Sequence, residues 1–281
     1  MSQRKIFAHG RPTVMGILNI TENSFYQGAM FIDHDKAFDH AMSIIDEGAD
    51  IIDIGGESTN PFNLQKISQD QELDRVIPVI ERIRANSEIT ISIDTSKPAV
   101  MDSAICAGAD MVNDVRGLTK EGAIDIVAST GVHACIMHMQ GEPETMQTKP
   151  CYENVTNEVF NFLSGRVDAC LKAGIDHDKI IIDPGFCFGK THENNIELLR
   201  NVKTFKDLGL PLLAGLSRKS MIGKILDAPL EDRLSGSITM AILLAQQGVN
   251  IIRVHDVKET VQALRVLGAI EMRFKELFND Y

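Results

Sequence analysis

Eight short apolar runs in the chain each close on a side chain able to do chemistry: Asn19, Asp53, Asp94, Asn113, His138 and Asp183, then Ser217 with Lys219, then Arg253 with His255. Three carboxylates (Asp53, Asp94, Asp183) and two amides (Asn19, Asn113) suit a flat heterocycle rich in N–H donors. A carboxylate accepts paired hydrogen bonds from an aminopyrimidine edge, and an amide both donates and accepts. The cations come late, as Arg218 and Lys219 in Ser217-Arg218-Lys219-Ser220 and then Arg253 with His255. A ligand that joins a polar ring to a polyphosphate would use both halves of the set.

The elements that carry these groups follow from glycine punctuation and hydrophobic period. Glu47-Gly48-Ala49-Asp50 leads into Ile51-Ile52-Asp53-Ile54, and Ala107-Gly108-Ala109-Asp110 leads into Met111-Val112-Asn113. Thr130-Gly131, Leu208-Gly209 and Gln247-Gly248 precede similar runs. Glycine just past a helix accepts a left-handed backbone, and continuous apolar runs suit parallel strands buried on both faces. Between them, Ala37, Ala41, Ile44 and Ile45, then Leu73, Val76, Ile77, Ile80 and Ile83, and later Val261, Leu264 and Leu267 recur at helical spacing. Strands are expected at 13–19, 50–54, 89–94, 110–113, 133–137, 180–183, 211–216 and 249–254. Eight strands alternating with helices predict a single-domain α/β fold over residues 1–281, a TIM-type (β/α)8 barrel, whose strand ends share one face. A doubly wound open sheet is the alternative, but no G-x-G-x-x-G follows the first strand.

Composition excludes several roles. With 28 basic and 39 acidic residues the net charge is −11, so no electrostatic footprint for nucleic acid or an anionic membrane exists. No run approaches the roughly 20 apolar residues of a bilayer span. The N-terminus lacks the apolar stretch of a signal peptide. Cys106, Cys135, Cys151, Cys170 and Cys187 are scattered with no C-x-x-C. Disulfide and zinc frameworks are therefore not expected, and a cytoplasmic setting is.

Ordered motifs sharpen the reading. They are Met15-Gly16-Ile17-Leu18-Asn19-Ile20-Thr21, Asp53-Ile54-Gly55-Gly56-Glu57-Ser58-Thr59, Ser92-Ile93-Asp94-Thr95-Ser96-Lys97-Pro98, Asn113-Asp114-Val115-Arg116, Met137-His138-Met139-Gln140-Gly141, Asp183-Pro184-Gly185-Phe186, Ser217-Arg218-Lys219-Ser220 and Arg253-Val254-His255-Asp256. In these the sequence resembles the bacterial dihydropteroate synthases over nearly its whole length. The resemblance implies a transferase of folate biosynthesis that joins 6-hydroxymethyl-7,8-dihydropterin diphosphate to p-aminobenzoate with Mg2+, by a dissociative route. By position it implies that Asp94, Asn113 and Asp183 hold the pterin edge, Met137 packs on the ring, Arg253 stacks on it, and Lys219 lies between the two substrates. It assigns pyrophosphate to Asn19, Arg253 and His255, with Asn19 near the metal, and p-aminobenzoate to Thr59, Pro61, Phe188, Lys219 and Ser220. Asp53 and Glu57 are left between a bracing role and none. A homodimer is implied too, with Ile238, Met240, Ile242, Leu243 and Leu244 as candidate apolar contacts.

The departures from the family pattern cluster in its lid. The usual T-P-D-S-F-S-D-G-G is here Thr21-Glu22-Asn23-Ser24-Phe25-Tyr26-Gln27-Gly28-Ala29, so both aspartates become amides, Asn23 and Gln27. The usual E-S-T-R-P-G has Asn60 for arginine and Phe62 for glycine, and Cys187 replaces a glycine of D-P-G-F-G-F-G-K. These changes keep open a pterin-binding paralogue with another acceptor or altered sulfonamide response. A pterin-dependent methyltransferase, which needs no pyrophosphate site, is the remaining alternative.

Overall fold

The computed structural model describes residues 6–7, 11–21, 33–58, 66–143 and 145–278. The strands are β1 Thr13–Asn19, β2 Ile51–Gly55, β3 Thr90–Asp94, β4 Met111–Asp114, β5 His133–Met137, β6 Ile180–Asp183, β7 Leu213–Ala214 and β8 Ile251–Val254. The helices are α1 His34–Asp46, α2 Gln69–Asn86, α3 Pro98–Ala107, α4 Ala123–Thr130, α5 Val155–Lys172, α6 His192–Arg200, α7 Ser220–Leu226, α8 Leu234–Gln246 and α9 Val257–Phe278. All strand pairs are parallel, in the order β6-β5-β4-β3-β2-β1-β8-β7. An Ile182–Leu212 bridge brings β6 to β7 and closes the ring. The expected (β/α)8 barrel is what forms.

Seven of the expected strands lie within a residue or two of their observed limits. The exception is 211–216, where only Leu213–Ala214 pairs as a strand. Pro211 has no N–H to give to a ladder, and Arg218 soon turns the chain left-handed at φ 56°.

Two apolar clusters share the strands by parity. Val14, Leu18, Ile52, Ile54, Ile91, Ile93, Val112, Ile136, Ile182 and Ile252 face outward and pack with the helices. Met15, Ile51, Met111, Cys135, Ile181, Leu213 and Ile251 form a separate inner layer with Ile6. Successive strand side chains point to opposite faces, so the residue two places beyond each inner apolar group also points inward, nearer the strands' C-terminal ends. Those residues are Ile17, Asp53, Asn113, Met137, Asp183, Gly215 and Arg253. One layer thus plugs the barrel and the next is largely polar.

Local signals set the helix ends. Ser68 Oγ accepts from Gln71 N at 3.1 Å while Gln71 Oε1 accepts from Ser68 N at 2.9 Å, a capping box that starts α2. Gly108, at φ 116°, ends α3. Of the apolar residues proposed for association, Leu244 is fully buried against the barrel; Leu243 is 40% exposed. Helical period alone does not separate those two neighbours, because α8 has apolar side chains around most of its circumference.

Candidate active site

The strand registers assemble the polar layer. Gly55 pairs with Asp94, Asp94 with Asn113, Asn113 with Cys135, and Met137 with Asp183. Across the mouth, Arg253 Nε donates to Asp53 Oδ2 at 2.5 Å and Nη2 donates to Asp94 Oδ2 at 2.7 Å. Asn113 Nδ2 donates to the same Asp53 oxygen at 3.1 Å. Asp53 is fully buried, and its Oδ1 has no hydrogen-bond partner among the described residues. One buried carboxylate therefore orients both the guanidinium and the amide. Sequence left Asp53 undecided because nothing local reveals partners 60 and 200 residues away.

Burial pushes the Asp94 carboxyl up to about 7, reinforced by Asp53 and opposed by Arg253. Burial also raises Asp183, whose Oδ1 accepts from Gly185 N at 2.7 Å. Burial alone would lower the Arg253 value, but Asp53 and Asp94 hold it above the ordinary arginine range. These are the expected traits of charges placed in a cleft of low dielectric.

Lys219 caps the other side of the mouth. Its Nζ donates to Phe186 O at 2.6 Å and lies 4.6 Å from the centre of the Phe188 ring. Burial lowers its pKa, with Cys187 and Asp183 pulling the other way. Met137 is 4% exposed beside Asp183. Ser220 is exposed and begins α7, a helix of seven residues. Asn19 is exposed at the end of β1. His255 sits at the rim, where its backbone N–H donates to Ser217 Oγ at 3.1 Å and its Nδ1 is 3.0 Å from the same oxygen. The Ser217 hydroxyl, with one proton and two lone pairs, can pair with Nδ1 in either tautomer, and holds the ring in place at the rim. The surrounding protein and Arg253 lower the His255 pKa, so the neutral ring prevails at pH 7.

Arg218, grouped with the phosphate-side cations in the sequence, has a carboxylate partner. Its Nε and Nη2 donate to Asp256 at 2.9 and 2.5 Å, and Arg233 Nη1 donates to Arg218 O at 3.0 Å. The guanidinium fork is occupied by a carboxylate, so Arg218 ties the β7 loop to the start of α9. Glu57 joins a network too. Lys97 Nζ bridges Glu57 Oε2 at 2.6 Å and the fully buried Glu72 Oε2 at 2.5 Å. Thr59, Pro61, Asn23, Gln27, Asn60 and Phe62 lie outside the described residues.

Cys187 has φ 67°, the left-handed region in which glycine is unstrained. Its N–H donates to Asn195 Oδ1 at 2.6 Å and its carbonyl accepts from Gln147 Nε2 at 2.5 Å. The sequence did not single out Lys190, which is 3% exposed among backbone carbonyls. A lysine at a strand-end loop carries no signal of burial until two loops close over it.

Among the described residues no group of three or more His, Cys, Asp or Glu side chains converges as a metal cage, and no helix is long and apolar enough to cross a membrane.

A family model described as pterin binding enzyme matches residues 15–255. The chain is 47% identical over 271 residues to the dihydropteroate synthase of Escherichia coli (strain K12), covering 94% of this chain and 96% of that one. The structure is similar to Yersinia pestis dihydropteroate synthase in a sulfonamide drug complex (TM-score 0.89, 43% identity, 95% and 96% of the two chains). It is also similar to Xanthomonas albilineans dihydropteroate synthase with 4-aminobenzoic acid (TM-score 0.87, 45% identity, 93% of each chain). With a barrel whose polar mouth is built on Asp53, Asp94, Asn113, Asp183 and Arg253, and with these likenesses running almost end to end, the chain belongs to the pterin-binding enzymes, in the dihydropteroate synthase family.

Proposed function

We propose that the chain, as one domain, condenses 6-hydroxymethyl-7,8-dihydropterin diphosphate with p-aminobenzoate, giving 7,8-dihydropteroate and pyrophosphate. The observation that carries this reading is the buried arrangement of Asp53, Asp94 and Asn113 about Arg253, with Asp183 inward on β6 and Lys219 opposite.

Asp94, Asn113 and Asp183 receive the aminopyrimidine edge, and Met137 packs on the ring. The planar Arg253 stacks on the pterin while Asp53 and Asp94 fix its plane. Asn19, Arg253 and His255 take the diphosphate. The C–O bond to the diphosphate breaks first, and its electron pair leaves with pyrophosphate. The methylene cation delocalises into the electron-rich pterin. The arylamine lone pair then forms the C–N bond, and the amine's proton leaves to solvent or to pyrophosphate. Thr59, Pro61, Phe188, Lys219 and Ser220 form the p-aminobenzoate side.

Magnesium fits this donor set. That ion is commonly held by one or two protein oxygens together with substrate phosphates, and Asn19 offers an exposed amide at the diphosphate side. When bound, the ion neutralises leaving-group charge. A cytoplasmic homodimer completes the reading. Its support is a set of exposed apolar side chains on α7, α8, α9 and the turn between α7 and α8: Ile225, Leu226, Leu230, Leu243, Val266 and Ile270.

The test is pyrophosphate release from dihydropterin diphosphate and magnesium, with and without p-aminobenzoate. Release that depends on p-aminobenzoate is expected; none above background overturns the reading. A second reading, a different arylamine acceptor, is favoured by Cys187, a side chain where the backbone favours glycine beside Phe188. The same assay run with other arylamines separates the two.

A further inference from the structure

Five consecutive carbonyls after β6 each accept a hydrogen bond from a side chain. Lys190 Nζ donates to Gly185 O at 2.8 Å and to Phe188 O at 3.0 Å. Lys219 Nζ takes Phe186 O at 2.6 Å, Gln147 Nε2 takes Cys187 O at 2.5 Å, and the Tyr152 hydroxyl takes Gly189 O at 2.7 Å. Lys190 alone holds two of the five. Its third near contact is His138 Nδ1 at 2.9 Å, with His138 O farther off at 3.4 Å. An ammonium has three donors and no acceptor, so its valence is filled.

Among the described residues no carboxylate pairs with Lys190. A buried cation without a close counter-ion is costly: burial lowers the Lys190 pKa to about 7, with the more distant Asp183 carboxylate opposing the shift. What the ammonium delivers is geometry. It joins the 185–189 turn to the loop after β5 where the two are already pressed together. A Cβ on Gly185 would stand 1.9 Å from His138 O, and one on Gly189 would stand 2.4 Å from Gln140 O. The His138 ring is itself set edge-on against Phe162, with centroids 5.0 Å apart.

We propose that Lys190 is a positioning residue for the second substrate: its ammonium fixes the 185–189 turn and so sets the Phe188 ring against Lys219 Nζ. This rests on the synthase reading above, which makes those two groups the aminobenzoate side. The effect is selective, because the pterin side is held by other bonds. Asp53, Asp94, Asn113 and Arg253 stand on β2, β3, β4 and β8 and share no hydrogen bond with the turn. Asp183 leads into it, and Met137 borders it just before His138. Burial and Lys190 together lower His138 to about 3, which keeps its ring neutral.

The experiment compares wild type, Lys190→Met and Lys190→Gln in the full chain. Folding is checked by circular dichroism, and KM is measured separately for p-aminobenzoate and for dihydropterin diphosphate by pyrophosphate release. Lys190→Met is expected to raise KM for p-aminobenzoate at least tenfold and KM for the pterin substrate less than threefold. Lys190→Gln, which keeps two donors, should fall between it and wild type. Equal changes in both KM values, or no change in either, overturn the proposal. If Lys190→Met does not fold, Lys190→Gln is read by the same criterion. If neither folds, the lysine serves stability alone and the proposal is wrong. A wild-type chain that releases no pyrophosphate overturns the synthase reading and this proposal with it. A competent wild type with unselective variants overturns only the latter.

Discussion

Arg253 Nε meets Asp53 Oδ2 at 2.5 Å across the barrel mouth, joining the last strand to the second. The same carboxylate oxygen receives Asn113 Nδ2. Asp53 therefore acts on a bound ring through two other side chains. Asp53→Asn keeps the shape and removes the charge that orders Arg253. Pyrophosphate release should lose about 100-fold in kcat/KM, equivalent to ~2.7 kcal/mol of transition-state stabilisation. Steady-state kinetics checks this; a loss below threefold would show that Arg253 is oriented by Asp94 alone.

Asp94 gives a pH dependence. Its carboxyl, raised to about 7 by burial and by Asp53 against the pull of Arg253, holds a proton at lower pH and loses it as pH rises. Only the carboxylate accepts two N–H donors from an aminopyrimidine. Affinity for a pterin lacking diphosphate should therefore increase about tenfold from pH 6 to pH 8 as the ionised fraction grows. Calorimetry on wild type and Asp94→Asn reads it. The asparagine variant should bind weakly with a nearly flat profile.

Lys97 lies between Glu57 and the fully buried Glu72. Lys97→Met leaves the Glu72 charge buried without its cation, which should cost about 3 kcal/mol of stability. The double variant Lys97→Met/Glu72→Leu should recover most of that loss, because removing both charges also removes the desolvation penalty. Urea unfolding of wild type, the single variants and the double variant measures the coupling.

Cys187 holds a left-handed backbone at φ 67°, which costs an L-residue roughly 1–2 kcal/mol. Glycine pays no such strain, though its greater freedom in the unfolded chain offsets roughly 0.5–1 kcal/mol. Cys187→Gly should accordingly raise unfolding stability by about 0.5–1 kcal/mol, and Cys187→Ala should not. Denaturant midpoints distinguish the two.

Much of the scaffold was legible in local pattern. Gly48, Gly108, Gly131, Gly209 and Gly248 all adopt the positive φ that their places before apolar runs implied. Ala37, Ala41 and Ile44 bury the face that their spacing marked. The candidate residues Asp94, Asn113, Asp183 and Arg253 do converge, since eight parallel strands present their C-terminal ends on one side. The ion pair of Arg218 was not legible for the opposite reason: a cation's partner is set by the fold, and Asp256 is 38 residues away.

The sequence by itself determined the strand count, the helix faces and which residue types stand at the barrel mouth, because periods of 2 and 3.6 are properties of the local chain. Only the tertiary structure decided how those groups are committed. Closing the ring set Asp53 between Asn113 and Arg253, surrounded Lys190 with carbonyls and His138, and paired Arg218 with Asp256. Each of these depends on two or more strands or loops meeting in a fixed register. No local period encodes that meeting.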